Sequence, residues 1–490
     1  ASLIVLLPLA LALAALFAGH VFTALSFLAV GQGVVLLLLI ARGRLVRELL
    51  GYFYGNPAVF LSFSFGSVIL LGTLLLSFPA SSASGVRIAP MDALFTSASA
   101  VCVTGLIVLD TPTAFSAFGQ AVILLLIQVG GLGIMVLSAF AALSLGRSLG
   151  LKTAFALQDI LDASGRRTAQ HLARFIVVST LSIELVGAAL LAAVFFTHGA
   201  PLSEALWNGV FHSISAFCNA GFALQTDSIV MFQHEPAALF VFGFLVIAGG
   251  LGFAVLAAAW LKITAWKTRG LPLQVKVVAT ATLLLVVAAW IVFAALEWNG
   301  ALGGMSVPDK IANAFFQGVT PRTAGFNSVD MGLLGPATCL VFILLMFIGA
   351  SPGGTGGGIK VTTLAVLLAT IPAVARGAAH PVLFRRAVPH SIVYKCVAIT
   401  AVAVLTIACA LAGLLLTQDM PFDRVLFETV SAFGTVGLSL GATSALNDFG
   451  KFIIVAVMFV GRVGPLTVAL LLESKEQSRL DYPREMISVG

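Results

Sequence analysis

The chain has 490 residues, 60% of them hydrophobic and only 9% charged, with 26 Lys and Arg against 20 Asp and Glu for a net charge of +6. Soluble globular domains carry about 25% charged residues. This composition, with a mean hydropathy of +1.09, therefore excludes a soluble protein and leaves a polytopic membrane protein.

Ten apolar stretches are long enough to cross the ~30 Å of hydrocarbon in a bilayer. In chain order they lie near 3–18, 22–41, 57–79, 114–146, 171–198, 237–261, 277–296, 335–375 (interrupted), 391–417 and 451–473. The first lacks the basic flank of a cleaved signal and is followed at once by the second, so a retained hairpin over 1–50 is expected, with Arg42, Arg44 and Arg47 at its end. The rest divides into four repeats at 51–165, 166–270, 271–380 and 381–490, the last ending in a polar tail from about Glu473.

The division rests on four windows that read as one motif: FTSASAVCVTGL, FHSISAFCNAGF, FFQGVTPRTAGF and FETVSAFGTVGL. In each, a glycine (Gly105, Gly221, Gly325, Gly437) follows a phenylalanine (Phe95, Phe211, Phe315, Phe427) by ten residues, and the glycines recur at intervals of 116, 104 and 112. Self-similarity of this kind decides architecture. Each window predicts a short helix that stops at a glycine. The first runs from Pro90 and Asp92 to Val103, which reaches only ~18 Å at 1.5 Å per residue. A helix ending at mid-membrane aims its partially negative C-terminus at the centre, which favours a cation there. Unpaired backbone at that depth must line water or be enclosed by protein, so the loop Cys102–Gly105 is expected to face an aqueous path. An isolated glycine would be an ordinary helix cap; four in register point to a filter. The residues before each glycine differ: Val103-Thr104, Asn219-Ala220, Thr323-Ala324 and Thr435-Val436. Backbone carbonyls of these residues and of the four glycines are therefore the expected ligands, as in potassium filters.

The span after each window carries a second glycine cluster: GGLG at 130–133, GGLG at 249–252, GASPGGTGGG at 349–358 and GRVG at 461–464. For the first two, close helix approach is the expected role. The third, with six glycines and a proline in ten residues, cannot stay helical, so that span is expected to break in mid-membrane.

Lys and Arg concentrate around 42–48, 147–174, 262–276, 376–395 and the tail from 474. The opposite loops are counted as holding Asp92, Asp110, Glu204, Asp227, Glu235, Glu297, Asp309, Asp330, Asp419, Asp423, Glu428 and Asp448 against Arg87, Lys310, Arg322, Arg424 and Lys451. The positive-inside rule then makes both termini cytoplasmic and brings the four windows in from outside, where the acidic excess gathers cations. The five cysteines (102, 218, 339, 396, 409) form no CxxC pair and are expected as free thiols. GGTGGGIK has Ile359 between glycine and lysine and follows a membrane span, so it is not a phosphate loop, and no nucleotide is expected on this chain. With no HExxH and no GxSxG, an enzyme is not expected, nor is a nucleic-acid partner.

The four loops VCVTGL, FCNAGF, TPRTAGF and GTVGL, the SPGGTGGGIK break, and MFVGRVGPLT followed by a short tail resemble the Trk/Ktr/HKT superfamily of potassium transporters over about 57–490. The last two motifs are most like bacterial KtrB subunits, whereas the amino-terminal hairpin is more like TrkH or TrkG. The resemblance implies a bacterial cytoplasmic (inner) membrane homodimer, surrounded by lipid, with one pore per protomer. It implies K⁺ uptake, with Na⁺ as a second candidate ion, and a cytosolic ring of RCK/KTN type that binds ATP, ADP or NAD and regulates the gate. It also implies that Arg462, an ionisable residue in an apolar span, sits in the pore beneath the filter; the competing reading is a structural pair with Glu184. The gate is then expected in Gly353, Gly354, Thr355, Gly356, Gly357 and Gly358 with Arg462. Lys360 is open between a second gate charge and a snorkelling helix-end lysine. The expected fold is an all-α membrane protein of four pseudo-four-fold repeats, each span, pore helix and span, around one pore, plus the amino-terminal hairpin. A secondary cation transporter with alternating access at broken helices is the rival. Four windows entering from one side favour the pore.

Overall fold

Residues 57–149, 165–264 and 271–464 are described by the computed structural model. The expected hairpin over 1–50 with its arginines, and the tail from 474, lie outside the described residues. The chain divides into compact units at Ala1–Leu61 and Ser62–Gly490, and everything below concerns the second.

This unit is built almost wholly from helices, in a pattern repeated four times. A long helix precedes a short one, and after a glycine loop a second span follows. The first repeat has α1 (Pro57–Leu76), α2 (Pro90–Val101) and α3 (Ala117–Leu149). The second has α4 (Gly165–Thr197), α5 (Leu202–Phe217) and a span in two pieces, α6 (Pro236–Leu251) and α7 (Phe253–Thr264). The third has α8 (Leu273–Glu297), α9 (Val307–Val319) and another divided span, α10 (Pro336–Phe347) and α11 (Val361–Ala375). The fourth has α12 (His390–Thr417), α13 (Phe422–Gly434) and α14 (Asp448–Val463). Between α11 and α12 a small antiparallel hairpin pairs Val382 with Ala387; nothing in the sequence pattern signalled it.

Local signals explain the helix starts. Pro90, Pro236 and Pro336 stand at the first helical position, where a missing N–H costs nothing. Asn447 caps α14 by accepting from Gly450 N (2.8 Å). Each short helix carries an acid in its first turn, Asp92, Glu204, Asp309 and Asp423, against the positive end of the dipole. The short helices have 12 to 16 residues, too few for ~30 Å of hydrocarbon. By contrast Leu172–Thr197, Leu273–Glu297 and His390–Thr417 are long and apolar enough to span alone.

Burial separates the two kinds of helix. Phe95, Phe211, Phe316 and Phe427 on the short helices are completely enclosed. The third of these is Phe316, one residue beyond the Phe315 of the ten-residue spacing. On the long helices Leu74, Leu185, Leu284 and Leu416 are more than half exposed, an apolar exterior that suits lipid rather than water. One further register unites the repeats. Gly130, Gly249, Gly349 and Gly461 each lie 13 residues after the start of their helix, at 117, 236, 336 and 448. A Cβ on Gly130, Gly249 or Gly461 would fall on the carbonyl oxygen of Val101, Phe217 or Phe433, the residue four before the filter glycine of the same repeat. These glycines let the second span lie directly on the filter loop.

Candidate functional site

The four loops share one backbone conformation. Two residues before each glycine the chain turns left-handed, at Val103 (φ 55°), Asn219 (61°), Thr323 (73°) and Thr435 (50°), and the glycines are left-handed too, with φ of 91°, 70°, 76° and 95°. Such φ values are rare for non-glycine residues and more so for β-branched Val and Thr. Strain repeated at four equivalent positions marks a function-bearing geometry. Hydroxyls brace it: Ser99 and Ser431 accept from the N–H of Gly105 and Gly437 (both 3.1 Å). Ser215 donates to Phe222 O (2.8 Å), and Thr320 does the same for Phe326 O. Sequence reading missed both the left-handed residue and this hydroxyl; the Ser or Thr five or six residues before each glycine was the available signal.

The loops close into a ring. A Cβ on Gly105 would strike the carbonyl of Ala220; on Gly221, that of Ala324 (3.0 Å); on Gly325, that of Val436; and on Gly437, that of Thr104. Each glycine thus meets the residue preceding the next repeat's glycine, in cyclic order. The carbonyls of the eight residues from Val103 to Val436 that precede the glycines accept no hydrogen bond among the described residues. Unpaired buried carbonyls are rare, and a set converging on one axis suits a desolvated cation. Val103, Thr104, Asn219, Ala220, Thr323, Ala324, Thr435 and Val436 are all fully enclosed, because the other three loops surround each one.

Below the ring lies the break in the third repeat. α10 ends at Phe347 and α11 begins at Val361, and Gly349 N donates to Ile359 O (2.8 Å) to close the base of the intervening loop. The loop touches the second and fourth repeats and the filter loop of its own repeat. Ser351 N and Thr355 N donate to the carbonyls of Gly250 and Gly249 (both 3.1 Å). Gly357 N donates to the Thr435 hydroxyl (2.9 Å), and Gly356 lies against the Thr323 hydroxyl. Gly353 turns left-handed (φ 77°), as does Gly358 (64°), and Gly354 lies on the carbonyl of Gly250. Lys360 Nζ donates to Gly356 O (2.6 Å). Arg462, 3% exposed, donates through Nη1 to Thr355 O and through Nη2 to Gly130 O (2.8 Å). Two cations therefore hold carbonyls that the missing helix leaves free, and Arg462 ties the loop to the first repeat as well.

Several expectations change. Arg462 does not pair with Glu184, which instead accepts from Gln128 Nε2 (3.1 Å) and Cys218 Sγ (3.8 Å). Arg322, counted among exposed loop charges, is 8% exposed, because its loop folds inward behind the ring. Glu297 and Glu428 are enclosed as well: Glu297 accepts from the N–H of Ala301 and Gly335, and Glu428 from the hydroxyls of Ser439 and Thr443. The GGLG at 249–252 provides close approach, yet it also ends a helix, with a bend of 104° between α6 and α7. All five cysteines are free.

A family model described as TrkH, cation transport protein, matches residues 55–480. The Ktr system potassium uptake protein B of Bacillus subtilis is 39% identical over 89% of this chain and 97% of its own length. The potassium/sodium uptake protein NtpJ of Enterococcus hirae is 34% identical, with the same two coverages. The crystal structure of the potassium transporter TrkH from Vibrio parahaemolyticus superposes with a TM-score of 0.71 at 21% identity, covering 96% of both chains, so the two share a fold.

Proposed function

Because this chain belongs to the TrkH family of cation transport proteins, a multi-pass membrane family and not an enzyme family, we propose that it takes up K⁺ through a filter built from backbone carbonyls around Gly105, Gly221, Gly325 and Gly437. The observation that carries this reading is the cyclic closure of four left-handed loops with unpartnered carbonyls. Na⁺ is the second candidate ion, since one relative is named for both ions. The gate is the loop Gly353–Gly358 with Lys360 and Arg462: it lies against Thr323 and Thr435 of the ring and is held by two cations. The names of the Ktr relatives speak of a system, and this supports a cytosolic RCK/KTN ring that binds ATP, ADP or NAD and acts on that loop. The protein works as a homodimer in the bacterial inner membrane with its termini cytoplasmic, and its repeats run 51–165, 166–270, 271–380 and 381–490 after a hairpin at 1–50. The two divided spans favour, as a second reading, alternating access.

The test is ⁸⁶Rb⁺ uptake into proteoliposomes with competing K⁺, Na⁺ or Li⁺, for the unaltered chain and for Gly105→Ser, Gly221→Ser, Gly325→Ser and Gly437→Ser. Uptake should be blocked by K⁺ and not by Li⁺. Each serine should weaken K⁺ over Na⁺ discrimination, since its Cβ is disfavoured at that φ and meets the next loop. Unaltered selectivity in all four variants would remove the filter assignment, and an obligatory co-substrate would favour alternating access.

A further inference from the structure

Behind the third filter loop, Arg322 and Thr282 line one recess between the second and third repeats, with room for a water-sized occupant. Val246 and Val319 form much of the wall, which Gly250 of α6 and Ala350 of the break between α10 and α11 complete. Arg322 is 8% exposed and Thr282 6%, and among the described residues neither Arg322 Nε nor Thr282 Oγ1 has a hydrogen-bond partner. The ion pairs among the described residues join His198, His234 and Lys451 to acids and leave Arg322 out. A buried guanidinium without a counter-charge is strongly unfavourable, and intramembrane charges are almost always paired. The cost is compounded here, because Arg322 adjoins Thr323 of the third filter loop: an uncompensated positive charge there opposes any cation on the axis.

We propose that this recess is a binding site for a single halide-sized anion, held by the Arg322 guanidinium and the Thr282 hydroxyl, which neutralises Arg322 beside the filter. The donors suit an anion, since a guanidinium has no acceptor. Room for a single water-sized occupant and apolar walls favour a monatomic ion over a phosphate group.

The experiment uses the purified full chain in detergent, at fixed K⁺ and fixed ionic strength, with gluconate replaced stepwise by chloride and, separately, by bromide. A ligand that binds only the folded state raises the melting midpoint with the logarithm of its concentration once that exceeds the dissociation constant, and such a rise is expected with either halide. Arg322→Met, an apolar replacement of similar length, should abolish the halide dependence while keeping a cooperative transition and a monodisperse size-exclusion peak. Thr282→Val should keep the rise but move its onset to an about tenfold higher halide concentration, the equivalent of one hydrogen bond to a charged group. Should Arg322→Met not fold, Thr282→Val decides alone. A midpoint indifferent to halide, or a dependence unchanged in the variants, overturns the proposal and leaves water as the occupant.

Discussion

The tetrapeptide Gly-Gly-Leu-Gly occurs twice, at 130–133 and 249–252, at the same register from its helix start, and the two copies do different things. In the first repeat the helix runs on to Leu149. In the second it stops at Leu251, Gly252 turns left-handed (φ 80°), and α7 leaves at 104°. The neighbour makes the difference. Beside the second copy lies the broken loop of the third repeat, whose Gly353 carbonyl accepts from Phe253 N (3.2 Å) while Gly249 and Gly250 supply carbonyls to Thr355 and Ser351. The first copy faces Val101 and Cys218 instead, and its helix keeps its own hydrogen bonds. Glycine permits a break; a partner for the freed backbone groups makes one.

If the loop imposes the bend, removing part of it should have the largest effect of any change. Deleting Gly353–Gly357 takes away the acceptor for Phe253 N and the bonds to Thr435 and Arg462. At saturating ion, K⁺ flux through proteoliposomes should rise by tenfold or more, by order-of-magnitude reasoning from the loss of several hydrogen bonds. Spin labels on α6 and α7 should report a straighter span. An unchanged inter-label distance would mean that Gly252 breaks the helix unaided.

Arg462→Ala is a milder form of the same disturbance. It removes one bond to Thr355 O and one to Gly130 O, and leaves Lys360 on Gly356 O. A hydrogen bond to a charged group is worth about 1.5–3 kcal/mol, so the loop's open population, and K⁺ flux with it, should increase about tenfold. Selectivity should change little because the ring is untouched. Flux equal to or below that of the unaltered chain would make the arginine structural.

The same comparison explains what could be read from the chain. The four windows were legible because Phe and Gly at fixed spacing are identities, and the break at 349–358 was legible because six glycines and a proline defeat any helix. The bend at Gly252 was not, since an identical tetrapeptide stays straight at 130–133. Nor was the left-handed turn at Val103, Asn219, Thr323 and Thr435, where three residue types accept one strained conformation imposed by the ring. The burial of Arg322 was not legible either: a charge counted with a loop gives no sign that the loop folds inward.

Replacing the last glycine of each copy separates permission from cause. Gly252→Ala adds a Cβ at positive φ, a conformation costing roughly 1–2 kcal/mol for an L-residue, 2.9 Å from Pro352 O. Denaturation in mild detergent should show a loss of about 2 kcal/mol. It should also show faster flux, because the strained contact bears on the gate loop.

Gly133→Ala should have the smallest effect and the opposite sign. Gly133 lies within the continuous helix α3, its φ is not in the left-handed region, and among the described residues no atom beyond the adjacent turns of its own helix lies within 4 Å of a Cβ placed there. With no clash to relieve, only helix propensity acts, and alanine is favoured over glycine inside a helix by up to ~1 kcal/mol. The variant should therefore match or slightly exceed the unaltered chain in stability, with K⁺ flux and selectivity unchanged. A destabilisation like that of Gly252→Ala would show that the first copy also bends during transport, so that its straightness belongs to one state rather than to the fold. The pair Gly133→Ala and Gly252→Ala then separates a glycine kept for room from a glycine kept for a turn.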